Sequence, residues 1–312
     1  MGFEKIVVPV ILGPTAVGKT ELVLELAREF GYEVISCDSR QIYRFMDVGT
    51  AKPSLEQRSK VKHHLIDILE PAQTYSAFAF AQDALRIIRE SARSQKKVLI
   101  CGGTGLYFYI LSGGADALDE ADLEYRALLQ KQAGESGAAA LHEKLREVDP
   151  QTASRIHPND LQRLLRALDI FHRSGHSISS LQKKNSPPRD IDFRTVVVNR
   201  PREILYKRIN ERVDMMIEQG LWEEFGSLRE RGYGETSPGM VCVGYRELFD
   251  VERGVSGLNS AAALIKQNSR RYAKRQMTWF RNKTEAAHIE ISDDDNSQFY
   301  KWFRDFESVH SY

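Results

Sequence analysis

The stretch Gly13-Pro14-Thr15-Ala16-Val17-Gly18-Lys19-Thr20 has the residue types and spacing of a phosphate-binding loop, G-x-x-x-x-G-K-[ST]. Gly13 and Gly18 let backbone N–H groups turn inward around an anion. Lys19 adds a mobile positive charge, and Thr20 offers a hydroxyl to a divalent metal at the positive end of a helix dipole. A diphosphate or longer polyphosphate belongs in such a loop, but the loop alone does not name the reaction. Downstream, Asp38 opens the run Asp38-Ser39-Arg40-Gln41-Ile42-Tyr43, where its carboxylate could serve as acid, base or metal ligand, or simply cap a helix. Gly102-Gly103-Thr104-Gly105-Leu106-Tyr107 brings a second glycine-rich turn with a hydroxyl at Thr104, a pattern that an ordinary tight turn also favours. Arg208 and Arg212 are four apart and could reach one phosphate together. Arg163 and Arg166 share a helix face that suits either RNA phosphates or plain solvation. Finally, residues 266–283 hold Lys266, Arg270, Arg271, Lys274, Arg275, Arg281 and Lys283 with no acidic residue, interleaved with Tyr272, Trp279 and Phe280. This is the strongest local nucleic-acid signal in the chain.

These residues need elements to position them. An apolar run at 5–12 predicts a strand leading into the phosphate loop, and 18–30 predicts a helix stopped by Gly31. Further strands are expected at 33–37, at 63–69 beginning His63-His64, at 97–101 and at 195–198. A helix at 76–94 should bury Phe78, Ala81, Leu85, Ile88 and Ala92. Strands alternating with helices predict an α/β fold with a parallel β-sheet flanked by helices, a P-loop NTPase-like core. Ligands in such sheets bind beyond the strands' carboxyl ends, so Asp38 and the glycine turn at 102–105 should share a crevice with the phosphate loop. The adjacent His63 and His64 would point to opposite strand faces and cannot easily chelate one ion.

Between about 113 and 190 the strand pattern stops and helical segments take over, at 123–131, 138–148 and 161–173, the last capped by Asn159 or Asp160 and closed by Gly175. The simplest organisation is a catalytic core of residues 1–112 and 191–312 carrying basic C-terminal helices, with 113–190 as an inserted all-helical subdomain. Lys183-Lys184-Asn185-Ser186-Pro187-Pro188-Arg189 reads as the basic, extended exit from it. Pro201 reads as the first residue of a long helix through Leu205, Ile209, Val213, Met216 and Ile217.

With 312 residues and a formal net charge of +1, the chain can bury a full core and is no basic nucleic-acid coat, although local basic faces survive inside a balanced sum. Cys37, Cys101 and Cys242 are scattered and odd in number, which predicts neither a disulfide framework nor a zinc site and fits a cytoplasmic protein. No apolar stretch approaches the ~20 residues needed to cross a bilayer.

In the order of the chain, several stretches together resemble the tRNA dimethylallyltransferases, the IPP transferase family that prenylates the adenosine beside the anticodon. They are the loop at 13–20, Asp38-Ser39-Arg40-Gln41-Ile42-Tyr43, Gly49-Thr50-Ala51-Lys52-Pro53, His63-His64-Leu65-Ile66-Asp67 and Gly102-Gly103-Thr104-Gly105-Leu106-Tyr107. Further on come Ile156-His157-Pro158-Asn159-Asp160 with Arg163 and Arg166, Pro201-Arg202-Glu203, Val243-Gly244-Tyr245, and the run from Arg271 to Arg281. The resemblance implies transfer of a dimethylallyl group from dimethylallyl diphosphate to an adenine N6 of tRNA. Gly13, Pro14, Thr15, Ala16, Val17, Gly18, Lys19 and Thr20 would hold the diphosphate, with Mg²⁺ bound through Thr20 and the phosphates. Lys19 and Arg208 would stabilise the leaving charge, Asp38 would take the amine proton, and Thr104 would position the reacting groups. Asp38, Ser39, Arg40, Gln41 and Thr104 would read a flipped base. Arg126, Gln162, Arg163, Leu164, Leu165 and Arg166 in the insertion, with Arg271, Lys274, Arg275 and Arg281, would grip the anticodon stem-loop. Arg40 stands where the family often carries a smaller or apolar residue. A monomer needing no membrane or stable protein partner is the implied form.

Three other functions use the same loop. A P-loop kinase would employ Arg208 and Arg212 as phosphate clamps but leaves the basic helix at 270–281 without a purpose. An adenylate prenyltransferase would keep the chemistry and replace RNA by free AMP, ADP or ATP. A non-catalytic RNA-binding NTPase switch would survive loss of Asp38.

Overall fold

The computed structural model of the protein describes residues 5–114, 122–181 and 187–310. Lys183, Lys184, Asn185 and Ser186 of the expected linker lie outside the described residues. The chain divides into two compact units, Met1–Phe108 with Arg189–Tyr312, and Tyr109–Pro188.

In the first unit, β1 (Ile6–Leu12), β2 (Tyr32–Cys37), β3 (His63–His64), β4 (Lys97–Gly102), β5 (Ile191–Asn199) and β6 (Ala287–Glu290) form one sheet. Its order is β3-β2-β4-β1-β5-β6, with every neighbouring pair parallel. The central strands are apolar on both faces, as a sheet covered on both sides requires: Val10, Ile11, Leu12, Ile35 and Ile100 are fully buried. Burying each such side chain is worth about 1.5–3 kcal/mol relative to leaving it exposed. Register then fixes the site. Leu12 of β1 and Cys37 of β2 both lie beside Gly102 of β4, so the three loops that follow these strands leave the sheet side by side. Gly102 has no alternative there, since a Cβ would sit 2.1 Å from the Cys37 carbonyl oxygen.

The helices in chain order begin with α1 (Lys19–Phe30), α2 (Leu55–Lys60), α3 (Ala77–Arg93) and α4 (Gly105–Leu111). Gly31 ends α1 at φ +74°. The helical unit contains α5 (Leu123–Ser136), α6 (Ala138–Val148), α7 (Pro150–Ala153), α8 (Leu161–Ser174) and α9 (Ile178–Leu181). It has its own core of Leu129, Leu141, Leu145, Leu164, Ala167 and Leu168. Asp160 accepts the Arg163 N–H at the start of α8, and Gly175 closes that helix at φ +67°. The chain returns to the first unit with α10 (Arg202–Glu218), α11 (Leu221–Glu230), α12 (Leu248–Glu252), α13 (Leu258–Lys283) and α14 (Ser297–His310).

Three expectations are corrected. The strand expected at 63–69 stops after His64, because Leu65 and Asp67 adopt left-handed backbone at φ +62° and +56°. The buried stripe of α3 is Phe80, Ala81, Ala84, Ile87, Ile88 and Ser91, so Phe78 and Leu85 are only half-buried and Ala92 is exposed. Pro201 caps α10 from outside rather than starting it. β6 and α14 were not anticipated; α14 puts Phe299, Phe303 and Phe306 into the main core.

Candidate active site

The phosphate loop passes from β1 to α1 with Gly18 at φ +103°, where an L side chain would be strained. Gly13 is equally constrained, since a Cβ there would lie 2.5 Å from the Val198 carbonyl oxygen of β5. The Lys19 ammonium folds back to donate to the carbonyls of Gly13 at 2.8 Å and Pro14 at 2.7 Å. Burial pushes its pKa down to about 8, against the pull of the nearby Cys101 thiol and Asp38 carboxylate. Arginines hold the loop from behind. Arg200 donates to the Val17 carbonyl at 2.7 Å, Arg208 to the Ala16 carbonyl at 3.2 Å, and Arg212 to the Thr15 hydroxyl at 3.1 Å. Arg200 and Arg208 also meet one carboxylate oxygen of Asp293 at 2.9 and 3.0 Å.

Across the crevice Asp38 follows β2. It caps no helix; its Oδ1 accepts the N–H of Arg40 at 2.8 Å and of Gln41 at 3.3 Å, which fixes the turn 38–41. The Thr104 hydroxyl accepts the Ser39 N–H at 3.0 Å, and burial raises the Tyr272 phenol to about 12. Thr104 therefore ties the glycine turn to the Asp38 turn from behind the wall. Arg40 donates to the Pro238 carbonyl at 2.9 Å, and Gln41 to the Ala51 carbonyl at 3.3 Å. The segment 47–49 is pinned by Glu224, which accepts the N–H groups of Asp47, Val48 and Gly49 at 2.7, 2.8 and 3.0 Å and the Tyr245 hydroxyl at 2.6 Å.

Together these loops enclose a cavity of about 620 Å³. Lys19, Thr20, Arg208 and Arg212 line one side and Asp38, Ser39, Arg40 and Gln41 another. The apolar side chains of Ile209, Val213, Met216 and Val243 also contribute to its lining. Such a cavity can hold a polyphosphate by one end, give an apolar group side chains to pack against, and bring a carboxylate into the same space.

Residues 41–283 match the family model described as IPP transferase, more than half of the chain. The tRNA dimethylallyltransferase of Geobacter metallireducens is 44% identical over 92% of this chain and 93% of its own length. That of Bacillus mycoides is 43% identical over 92% and 90%. The chain belongs to the IPP transferase family. A solved tRNA isopentenylpyrophosphate transferase from Bacillus halodurans is 38% identical with a TM-score of 0.70, covering 98% of this chain and 96% of that one. A eukaryotic dimethylallyltransferase solved acting on tRNA, at 24% identity and a TM-score of 0.81 over 97% and 79% of the chains, shares the fold.

In this IPP transferase, the residues expected to contact RNA divide by exposure. Arg271, Lys274, Arg275 and Arg281 are exposed on one side of α13, and Gln162, Arg163 and Arg166 are exposed on α8. Leu164 is fully buried in the core of the helical unit and cannot be an RNA contact, while Leu165 is half-buried against that core. Arg126 pairs with the fully buried Asp169 at 2.7 Å, where Arg173 joins at 3.2 Å, so part of its charge is used inside the unit. Arg200, Gln276 and Glu224 escaped the sequence reading of the site, and Tyr272, read there only as an aromatic of the basic helix, also lines the cavity. Gln276 was discoverable, because it falls in helical phase with the apolar Ala273 and Phe280, and a polar group on an inward face needs partners.

Proposed function

We propose that this chain transfers the dimethylallyl group of dimethylallyl diphosphate to the exocyclic N6 of the adenosine 3′-adjacent to the anticodon of tRNA, releasing diphosphate. The observation that carries this reading is the cavity, which a phosphate loop, a carboxylate turn and apolar side chains line together. Those apolar side chains suit a five-carbon chain. The N6 lone pair attacks the allylic carbon, the C–O bond breaks, and its electron pair leaves on the diphosphate. Lys19 and the Arg208 and Arg212 guanidiniums stabilise that charge. The N6 proton passes to the Asp38 carboxylate, which the Arg40 and Gln41 amides hold in place. Ser39, Arg40 and Gln41 surround the flipped base, and Thr104 positions them through Ser39.

Thr20, at the first turn of α1 and on the cavity wall, fits a Mg²⁺ held by a hydroxyl and phosphate oxygens rather than by a carboxylate cage. When bound, the ion neutralises charge on the leaving diphosphate. Gln162, Arg163 and Arg166 of the helical unit and the outer side of α13 are read as the grip on the anticodon stem-loop. This reading places a monomer in the cytoplasm; among the described residues no helix is long and apolar enough to cross a membrane, and Cys37, Cys101 and Cys242 are free thiols.

Mass spectrometry of tRNA incubated with enzyme and dimethylallyl diphosphate tests the proposal. The expected product carries one dimethylallyl group on the nucleoside 3′ of the anticodon. Asp38→Ala should slow its formation by about 10²–10⁴ while leaving RNA affinity intact. Preferential prenylation of free AMP, ADP or ATP, or phosphoryl transfer from ATP in its place, would overturn it.

A further inference from the structure

Helix α13 has two faces with different work. Arg271, Lys274 and Thr278 are exposed on one, and Arg275 is exposed at its edge, where its guanidinium lies 5.7 Å from the Tyr272 ring and reaches the cavity. On the other, Tyr272, Gln276 and Trp279, spaced four and three apart, all touch the catalytic loops. Tyr272 lines the cavity beside them. The indole of Trp279 covers Gly105 so closely that a Cβ there would lie 2.2 Å from its Cδ1. Gln276, only 6% exposed, uses both ends of its amide: Oε1 accepts the Thr15 N–H at 2.9 Å, and Nε2 donates to the Gly103 carbonyl at 2.8 Å. One side chain thus joins the crest of the phosphate loop to the glycine turn. A Cβ on Gly103 would sit 2.6 Å from that Nε2, so the glycine and the glutamine are fitted to each other.

The crest being held is strained. Ala16, next to Thr15, has a left-handed backbone at φ +62°, a conformation that persists in a non-glycine residue only when its surroundings enforce it. Gln276 is one of those enforcing contacts, with Arg208 and Arg212. A bound diphosphate would be another, because it draws the same backbone amides inward. RNA phosphates on the outer side of α13 would fix the helix that carries Gln276. Two ligands that each stabilise one strained segment must help each other by the same factor.

From this geometry we infer that Gln276 is a positioning residue that couples RNA seated on the outer side of α13 to diphosphate seated in the phosphate loop. The inference rests on the proposed function for the identity of its RNA ligand. It assigns Gln276 no contact with either substrate; the residue acts through the Thr15 amide and the Gly103 carbonyl.

Calorimetric titration of the full chain with inorganic pyrophosphate and Mg²⁺, with and without a saturating anticodon stem-loop RNA, tests it. Wild type should bind pyrophosphate at least about fivefold tighter when RNA is present. In Gln276→Met, which keeps the volume and removes both hydrogen bonds, that ratio should fall to about one, with RNA affinity in the absence of pyrophosphate unchanged. Gly103→Ala attacks the same bridge from its other end and should reduce the ratio likewise. A wild-type ratio of one, or a wild-type ratio retained in both variants, overturns the inference. So does loss of folding in both variants, which would make the bridge a folding element. If wild type binds RNA with the expected ratio yet prenylates nothing, the proposed function fails and the coupling stands. If wild type binds no RNA, both fail.

Discussion

Lys19 shows how one residue carries two incompatible demands. Its ammonium must be buried to meet a diphosphate, yet burial disfavours the charge, which the Gly13 and Pro14 carbonyls partner. The outcome is a pKa lowered to about 8. A diphosphate beside the amine favours its charged form and draws the pKa back up, so binding above pH 8 takes up a proton. The Lys19-dependent part of pyrophosphate affinity is therefore expected to be level below about pH 8 and to fall as pH rises beyond it. Titration of wild type against Lys19→Arg checks this, because arginine stays charged and cancels protonation of the ligand itself. Parallel curves for the two proteins would remove Lys19 as the titrating group. The stability of the ligand-free protein has the opposite sign. Between about 8 and 10.5 the unfolded chain binds the proton that the folded chain has released, so the cost of burying the charge is present in full below 8 and is relieved as pH rises through that window.

At the scale of elements, α8 and α13 both read as basic helices, and only their phase separates contact from support. On α8 the resemblance carries over 162–166 as a block, but Leu164 faces the helical unit's core while Arg163 stands 69% exposed. Leu164→Ala should destabilise the protein by about 2–5 kcal/mol through the lost packing and the cavity left behind. Arg163→Ala should leave stability unchanged, weaken RNA binding and lower its salt slope by about one. Thermal unfolding together with RNA titrations at several salt concentrations measures both; a stable Leu164→Ala that loses RNA affinity would return Leu164 to the interface. The same issue of phase explains what was legible in the sequence. The loop at 13–20 and the Asp38 turn could be read because their chemistry is local, set by glycines and flanking apolar runs. The inward side of α3 could not be placed to the residue, because alanines and serines of similar size stand on both sides of Ile88. Gln276 is legible only by phase, since a run of cations draws attention to the outer side of a helix and away from a polar residue in step with the buried Ala273 and Phe280.

Over the whole molecule, the sheet's order places the phosphate loop, the Asp38 turn and the glycine turn on adjacent strands, yet the chain's last elements decide whether that sheet closes. β6 was illegible because three of its four residues are exposed, an edge strand with almost no apolar signal, and it becomes a strand only by pairing with β5. α14 follows and buries Phe299, Phe303 and Phe306 against Phe30, Tyr32 and α1. Its Glu307 accepts from the Tyr32 hydroxyl and from Lys97 at 2.8 Å, tying the helix to β2 and β4 from 210 or more residues away in sequence. Losing one buried Phe costs about 3–5 kcal/mol, and a whole domain is stable by only about 5–15 kcal/mol. Three such residues therefore amount to most of the available stability. A chain ending after residue 296 should fail to reach the native state, even though it retains every residue of the cavity wall. Circular dichroism melts and limited proteolysis of the truncated and full-length chains measure this, and a truncated chain with the full-length melting temperature would show that the sheet closes without α14. Phe303→Leu, which keeps most of the apolar volume, should fold with a lowered melting temperature, separating lost packing from lost chain.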